Sequence, residues 1–436
     1  MNRKVINNAA WMITCRVIKV LLAAFVSIFT ARMLGPDNYG ILNYASSVTA
    51  FISPFVLLGF NSILVNELLS QNAADDEGTI LGTAVSSSLI CSFFGVIISA
   101  AMAYLIAPGD QVAVGVTVIY STSLVFHSLE LIQYWFQAKY RSNVVALVGV
   151  VAYVVVSIYK IVLLACRVSI YWFAFSNAFD YLIISAVLFF LYRKEKNPKL
   201  RFSSKTFKHL FSIGKYYMIS AFMVTVFTKV DKLMIKSLLG NQLNGLYAVA
   251  VTCSEMFTIV FASIIEAMRP YILEGKKENN IVFEKRLGAL YAILVYLGIA
   301  CSIVVSLLSD VIIKMVYGSA YAGGSSALKI LIWYTALACI GGAKDIWILA
   351  ERKQRYLLLL NAAGVVSNIL MNAVLIPECG IAGAAIATLI TQFFSNILMC
   401  ILIKDLRHNM WILWTALKPS VLVMSFQVIL QKVKRK

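Results

Sequence analysis

Charge is scarce in this sequence, and negative charge scarcest. Of 436 residues 13% are charged, with 20 Asp or Glu against 38 Lys or Arg. A soluble globular chain carries about 25% charge, and a soluble fold could not hide the 61% of residues that are hydrophobic. A bilayer can take them, because a helix of about 20 apolar residues crosses the hydrocarbon while satisfying its own backbone.

Histidine is rarer still. His127, His209 and His408 are the whole set, with no second histidine or cysteine at the spacing of a metal ligand, so no metal site is expected. The eight cysteines are scattered without a C-x-x-C pair and read as small buried hydrophobes. There is no G-x4-G-K-[ST] phosphate loop, no G-x-S-x-G, no H-E-x-x-H and no dinucleotide-binding glycine run. The longest connection, 193–211, leaves no extramembranous domain for catalysis. The sequence therefore points away from an enzyme, and no cofactor is expected. The excess of cations, +18 overall, is assigned to cytoplasmic loops and an anionic ligand, with no nucleic-acid partner.

What the chain does have is a series of apolar runs of spanning length. They fall at 10–31, 41–66, 80–106, 112–136, 143–165, 170–192, 212–237, 245–268, 287–309, 326–349, 355–376 and 380–403. Alternate connections hold 21 and 4 Lys or Arg, an asymmetry that places the N-terminus in the cytoplasm. The basic start at Arg3 and Lys4 resembles a signal peptide, but Arg16 and Lys19 interrupt the run, which reads as a retained first span. A further apolar stretch, 411–430, contains Lys418-Pro419 and ends in four cations. It reads as interfacial or re-entrant in preference to spanning.

The expected organisation is an N-terminal six-helix lobe (1–192), a basic cytoplasmic linker (193–211), a second six-helix lobe (212–403) and a basic C-terminal segment (404–436). An internal echo supports the halves. Leu34-Gly35-x4-Gly40 returns as Leu239-Gly240-x4-Gly245 at an offset of 205, each pair suited to a tight external turn. An even-numbered repeat enters the membrane from one side, so the halves should be related by an axis along the membrane normal, with a substrate path between them. Pro54, followed by Gly59, marks a kink in the second span.

Ionisable groups at membrane depth are costly and so default to function. Arg16 and Lys19 share a face of the first span, Lys19 about 14 Å deep. Lys229, Lys232 and Lys236 form a stripe along the seventh, with Asp231 on a neighbouring face. Lys160, Lys236 and Lys344 can snorkel, or in the case of Lys160 and Lys344 line a cavity. The deep acids are Glu130, Asp180, Asp231, Glu255, Glu266 and Asp345. Glu266 has Arg269 as a local partner, whereas Glu255 has none and suits proton or sodium transfer. His127, Glu130, Gln133 and Gln137 run along one side of the fourth span, as a wet face or a hydrogen-bonded stripe.

Four motifs carry a resemblance. Ala31 to Tyr44 (ARMLGPDNYGILNY), Asp231 to Gly240 (DKLMIKSLLG), Val316 to Tyr321 (VYGSAY) and Asn372 to Thr388 (NAVLIPECGIAGAAIAT) resemble the polysaccharide transporter branch of the multidrug/oligosaccharidyl-lipid/polysaccharide superfamily, the Wzx-type O-antigen flippases above all. The resemblance implies an all-α, MATE-like bundle of about twelve helices in two pseudo-symmetric lobes, V-shaped, in a bacterial cytoplasmic (inner) membrane. Its implied substrate is an undecaprenyl-diphosphate-linked oligosaccharide, moved to the periplasmic leaflet by antiport of protons or sodium. Membrane lipids, a polysaccharide polymerase and a chain-length regulator are the implied partners. Arg16, Lys19, Lys229, Lys232, Lys160 and Lys344 are then candidates for the diphosphate and sugar cavity. Asp231, Glu255, Asp180 and Glu130 are candidates for ion coupling, with Pro54, Gly35, Gly40, Gly240 and Gly245 at hinges and turns. Only Asp231-Lys232 lies in a matching motif. Competing readings are a multidrug exporter, which would want an acidic and aromatic cavity, a membrane polysaccharide polymerase or ligase, which would want a long external loop, and a non-transporting scaffold.

Overall fold

The structure, a computed structural model, describes residues 3–70, 77–194 and 198–418, with side chains of the first helix at Cys15 and from residue 18 onward. The described residues form helices α1 (Arg3–Leu57), α2 (Phe60–Leu69), α3 (Glu77–Ile106), α4 (Gln111–Ser121), α5 (Ser123–Leu129), α6 (Gln133–Ala138), α7 (Ser142–Ala165) and α8 (Ile170–Lys194). They continue as α9 (Ser204–Leu239), α10 (Asn241–Glu278), α11 (Asn280–Tyr317), α12 (Ser325–Ala350), α13 (Arg355–Phe393), α14 (Met399–Leu402) and α15 (Arg407–Ala416).

Ten runs among them are long and apolar enough to cross a membrane. Two of these are doubled. Helix α1 has 55 residues, about 80 Å if straight against about 30 Å of hydrocarbon, and it folds back at Gly35, where the backbone takes φ 73°. Ser27 and Tyr39 would lie about 18 Å apart along a straight helix, yet their hydroxyls meet at 3.0 Å. Helix α13 does the same at Gly380 (φ 60°), which brings Gly383 against the carbonyl of Leu375. With both doubled, the ten runs are consistent with the twelve spans expected from the sequence.

The backbone also repeats itself. Left-handed residues pair as Gly35 with Gly240, Gly109 with Gly318, Tyr140 with Arg352, and Arg167 with Gly380. Each pair breaks the chain at corresponding turns of the two halves, so the pseudo-symmetry reaches well beyond the motif legible in the sequence.

Packing divides the chain into two compact units, Met1–Gly245 and Leu246–Lys436. The boundary therefore falls after α9, past the linker at 193–211. The physical reason is that α9 packs on α1, α2 and α3, and the chain leading to it is pinned: the Arg201 amide donates to the Gly78 carbonyl at 3.2 Å, and the Ser203 amide to the Thr83 hydroxyl at 3.0 Å. Ser203 then caps α9 by accepting from Thr206.

Within the first unit the core at one end gathers Phe60, Leu64, Leu81, Trp135, Phe136 and Leu188. In the second, Leu287, Tyr291, Leu294, Ile346 and Trp347 form the core, with α15 docked through Met410 and Leu413. Tyr291 donates to Asn409 at 3.0 Å, which anchors the start of the stretch 411–430; its remainder from 419 lies outside the described residues.

Candidate functional site

Polar groups survive in these apolar helices because serine and threonine bond back to the preceding turn, as Thr30 does to Val26 and Ser47 to Asn43. Charged groups need more, and three clusters supply it.

The first lies inside unit 1. Lys19 on α1 reaches Asp180 on α8 at 3.8 Å and sits over the Tyr153 ring of α7. Lys160, also on α7, is within electrostatic reach of the same carboxylate. Glu130 occupies a 3-10 turn between α5 and α6, feels both Lys19 and Asp180, and stands 3.8 Å from His127, whose ring lies 4.6 Å from Tyr181. The sequence treated these groups span by span; folding brings Lys19, Lys160, Asp180 and Glu130 within electrostatic reach as one set. Oδ1 of Asp180 is buried with no hydrogen-bond donor among the described residues.

Two cavities adjoin this set. One, about 370 Å³, runs beside Ser53, Asn61, His127, Tyr181 and Thr225. The other, about 180 Å³, runs beside Ser27, Asn43, Tyr153 and Lys160. They share Ser46, Tyr120 and Asn177 as a common wall, none of which the sequence reading singled out, because an isolated hydroxyl or amide in an apolar run carries no pattern.

The second cluster closes the far end of α9. Asp231 and Lys232 are buried, Lys232 with 4% of its surface exposed, and the Lys232 amide donates to the Asp231 carboxylate at 2.8 Å. Lys229 is half-buried. Lys236 does not snorkel: it is buried and pairs with Asp110 at 2.5 Å, beneath the Tyr44 ring. Asp110 also caps α4 by accepting from Ala113 and accepts from Asn241 at 3.0 Å. Burial works against that carboxylate, but Lys236, the Ala113 amide and Asn241 outweigh it and hold Asp110 below its usual range.

Beside this latch the two echoed turns touch. Gly35 and Gly240 make the turns. Gly40 and Gly245 do not; they lie inside helices and allow the chains to meet. A Cβ on Gly40 would fall 1.9 Å from the Asn241 carbonyl oxygen, and one on Gly245 would fall 1.9 Å from that of Pro36. Pro36 and Asn241 are themselves 205 apart, so the contact is symmetric about the repeat. Asn244 donates across it to the Gly40 carbonyl at 2.9 Å. Pro54 likewise leaves its helix unbroken; α1 ends at Leu57, and the break follows at Leu58 and Gly59, both left-handed.

The third cluster belongs to unit 2. Lys344 is buried, donates to Asn396 at 2.9 Å and lies 3.7 Å from Asp345, so it too does not snorkel. Asn396 sits in a π-helical turn, Phe394–Leu398, and donates to Gln392 at 2.6 Å. Glu255 is exposed on α10, apart from these clusters. Glu266 pairs with Arg269 at 3.2 Å. The Arg16 side chain lies outside the described residues.

Residues 29–326 match the family described as polysaccharide biosynthesis protein. The chain belongs to that family. Among its relatives, a capsular polysaccharide biosynthesis protein, CapF, of Staphylococcus aureus is 23% identical over 90% of this chain and 97% of that protein. A putative O-antigen transporter of Shigella flexneri is 22% identical over 91% and 96%. Among solved structures, the lipid II flippase MurJ in an inward closed conformation covers 96% of this chain and 92% of its own at a TM-score of 0.76 and 16% identity. An inward-facing MATE transporter of the multidrug/oligosaccharidyl-lipid/polysaccharide superfamily gives 0.68 at 13% identity, covering 92% and 96%. The polysaccharide biosynthesis family thus has, in this member, the multi-pass helical fold of that superfamily, as its four motifs implied.

Proposed function

We propose that this protein is a flippase that carries an undecaprenyl-diphosphate-linked oligosaccharide from the cytoplasmic to the outer (periplasmic) leaflet of a bacterial cytoplasmic membrane, by alternating access coupled to protons or sodium. Its N-terminus is cytoplasmic, which puts the Gly35 and Gly240 turns outside. The six-helix lobes of the sequence repeat are the moving parts, and the Gly40–Gly245 contact with the Asp110–Lys236 latch closes the outer face.

The observation that carries the reading is Lys232, a buried lysine with 4% of its surface exposed at membrane depth, in a motif that resembles that of the polysaccharide transporters. A cation held there is stabilised by an anionic partner, and a diphosphate offers charge-assisted bonds of the strong kind. Lys229, one turn away, completes the assignment, while Arg16 stays a candidate on sequence alone. Lys19 and Lys160 are already balanced by Asp180 and Glu130, so this set suits ion coupling better than phosphate capture. Asp231 and Glu255 remain coupling candidates. Lys344, bonded to Asn396, is assigned a structural role first.

The test is reconstitution. Proteoliposomes loaded with the lipid-linked oligosaccharide should move it between leaflets faster under an imposed proton or sodium gradient. Glycan that stays in its original leaflet at the protein-free rate would refute the reading.

A further inference from the structure

The paired cavities of unit 1 are built for a ligand different from a diphosphate. The larger holds Ser46, Ser53, Asn61, Tyr120, Asn177 and Thr225 on its wall, with His127 and Tyr181 beside them. Among the described residues no Lys, Arg, Asp or Glu lines it. The smaller adds a single cation, Lys160. A wall of neutral donors and acceptors in a lipid-embedded protein is costly unless something hydrogen-bonds to it. A ligand that matches this wall is itself neutral and rich in hydroxyls.

Size and shape agree. About 370 Å³ lies in the range of small-molecule pockets, and a second compartment of about 180 Å³ adjoins it at Ser46, Tyr120 and Asn177, which line both. That suits a chain of rings more than a single compact solute. Tyr120 hydrogen-bonds Ser46, and Tyr181 is held against His127, so two aromatic rings are fixed at the wall, where the apolar face of a pyranose can lie on them while its hydroxyls reach the amides. The end of α1 at Leu58–Gly59 and the α9 segment at Gly214 are packed so closely that a Cβ on Gly59 would come 2.2 Å from the Gly214 carbonyl.

We infer that this cleft is the glycan subsite: it receives sugars of the lipid-linked oligosaccharide, and Asn177, Tyr120 and Thr225 are specificity-determining residues for the repeat unit. The inference rests on the flippase reading and adds to it where the sugar sits, apart from the cations assigned to the diphosphate.

The experiment uses the full chain in nanodiscs with two probes, undecaprenyl diphosphate and its glycosylated form extracted from cells that make the cognate polysaccharide. The wild type is expected to bind the glycosylated lipid about tenfold more tightly, the worth of one or two hydrogen bonds. Asn177→Leu should erase that difference and leave affinity for undecaprenyl diphosphate unchanged; Thr225→Val, a near-isosteric change in the same lining, should reduce it partway. Equal wild-type affinity for both lipids would mean the cleft holds only water or ions and would overturn the inference while the flippase reading stands. Variants that keep the full difference, or that lose both lipids in parallel, overturn it too. Wild-type protein that binds neither lipid removes the flippase reading itself, a separate result.

Discussion

Replacing Gly40 by alanine adds one methyl group at the tightest contact between the two echoed turns. Its Cβ would start 1.9 Å from the Asn241 carbonyl oxygen and 2.9 Å from the Gly245 amide nitrogen, where ordinary contact begins at 3.4 Å. Both neighbours are backbone, so no side chain can turn aside, and the helices must part by about 1.5 Å, the difference between 3.4 and 1.9. Overpacking of this kind costs about 1–3 kcal/mol, and here it also strains the Asn244 bond to Gly40. If closure of the outer face is one of two states of the transporter, that cost shifts the balance towards the open one by about 5- to 150-fold. Hydrogen exchange of the protein in nanodiscs reads this directly. Peptides covering 36–44 and 241–249 should exchange faster in Gly40→Ala and in Gly245→Ala, surface glycan should fall, and the amount of protein in the membrane should hold. Gly288→Ala is the control, since its added Cβ meets neighbours only at 3.9 Å and beyond. Unchanged exchange at both segments in both variants would refute the argument from close packing.

Further outcomes follow from the three clusters. Lys232→Glu should abolish surface glycan with the protein still delivered to the membrane, and normal glycan would remove Lys232 from the diphosphate site. Because the Asp110 carboxyl is held below its unfolded value of about 3.9, the latch contributes stability that is present above about pH 4 and lost as pH falls through the lowered value. Thermal unfolding of Asp110→Asn should therefore lie below wild type at pH 7 and converge with it in acid; parallel curves would show the latch to be inert. In unit 2, Asn396→Leu should destabilise by about 2–4 kcal/mol, because it leaves Lys344 buried and short of a partner, and Lys344→Met in the same chain should recover most of the loss. A double variant as unstable as the single would place the cost in packing around the π-helical turn.

That the chain is a transporter was legible only in its motifs; that it is a membrane protein was legible in composition alone, because burying 61% hydrophobic residues leaves a bilayer as the only sufficient solvent. The spans were legible for the same reason. So was half of the turn logic: Gly35 and Gly240 break helices through their own backbone freedom, a local property. The role of Gly40 and Gly245 was not, since a missing Cβ matters only when another chain segment lies against it. Charge assignments divided along the same line. The depth of Lys19, Asp180 and Lys232 follows from distance along a span, but which charges balance one another is decided by helices distant in sequence, as with Lys236 and Asp110, 126 residues apart. The neutral cleft around Ser46, Tyr120 and Asn177 left no trace in the sequence. Single polar residues in apolar runs share a wall only when tertiary packing brings their helices, here α1, α4 and α8, together.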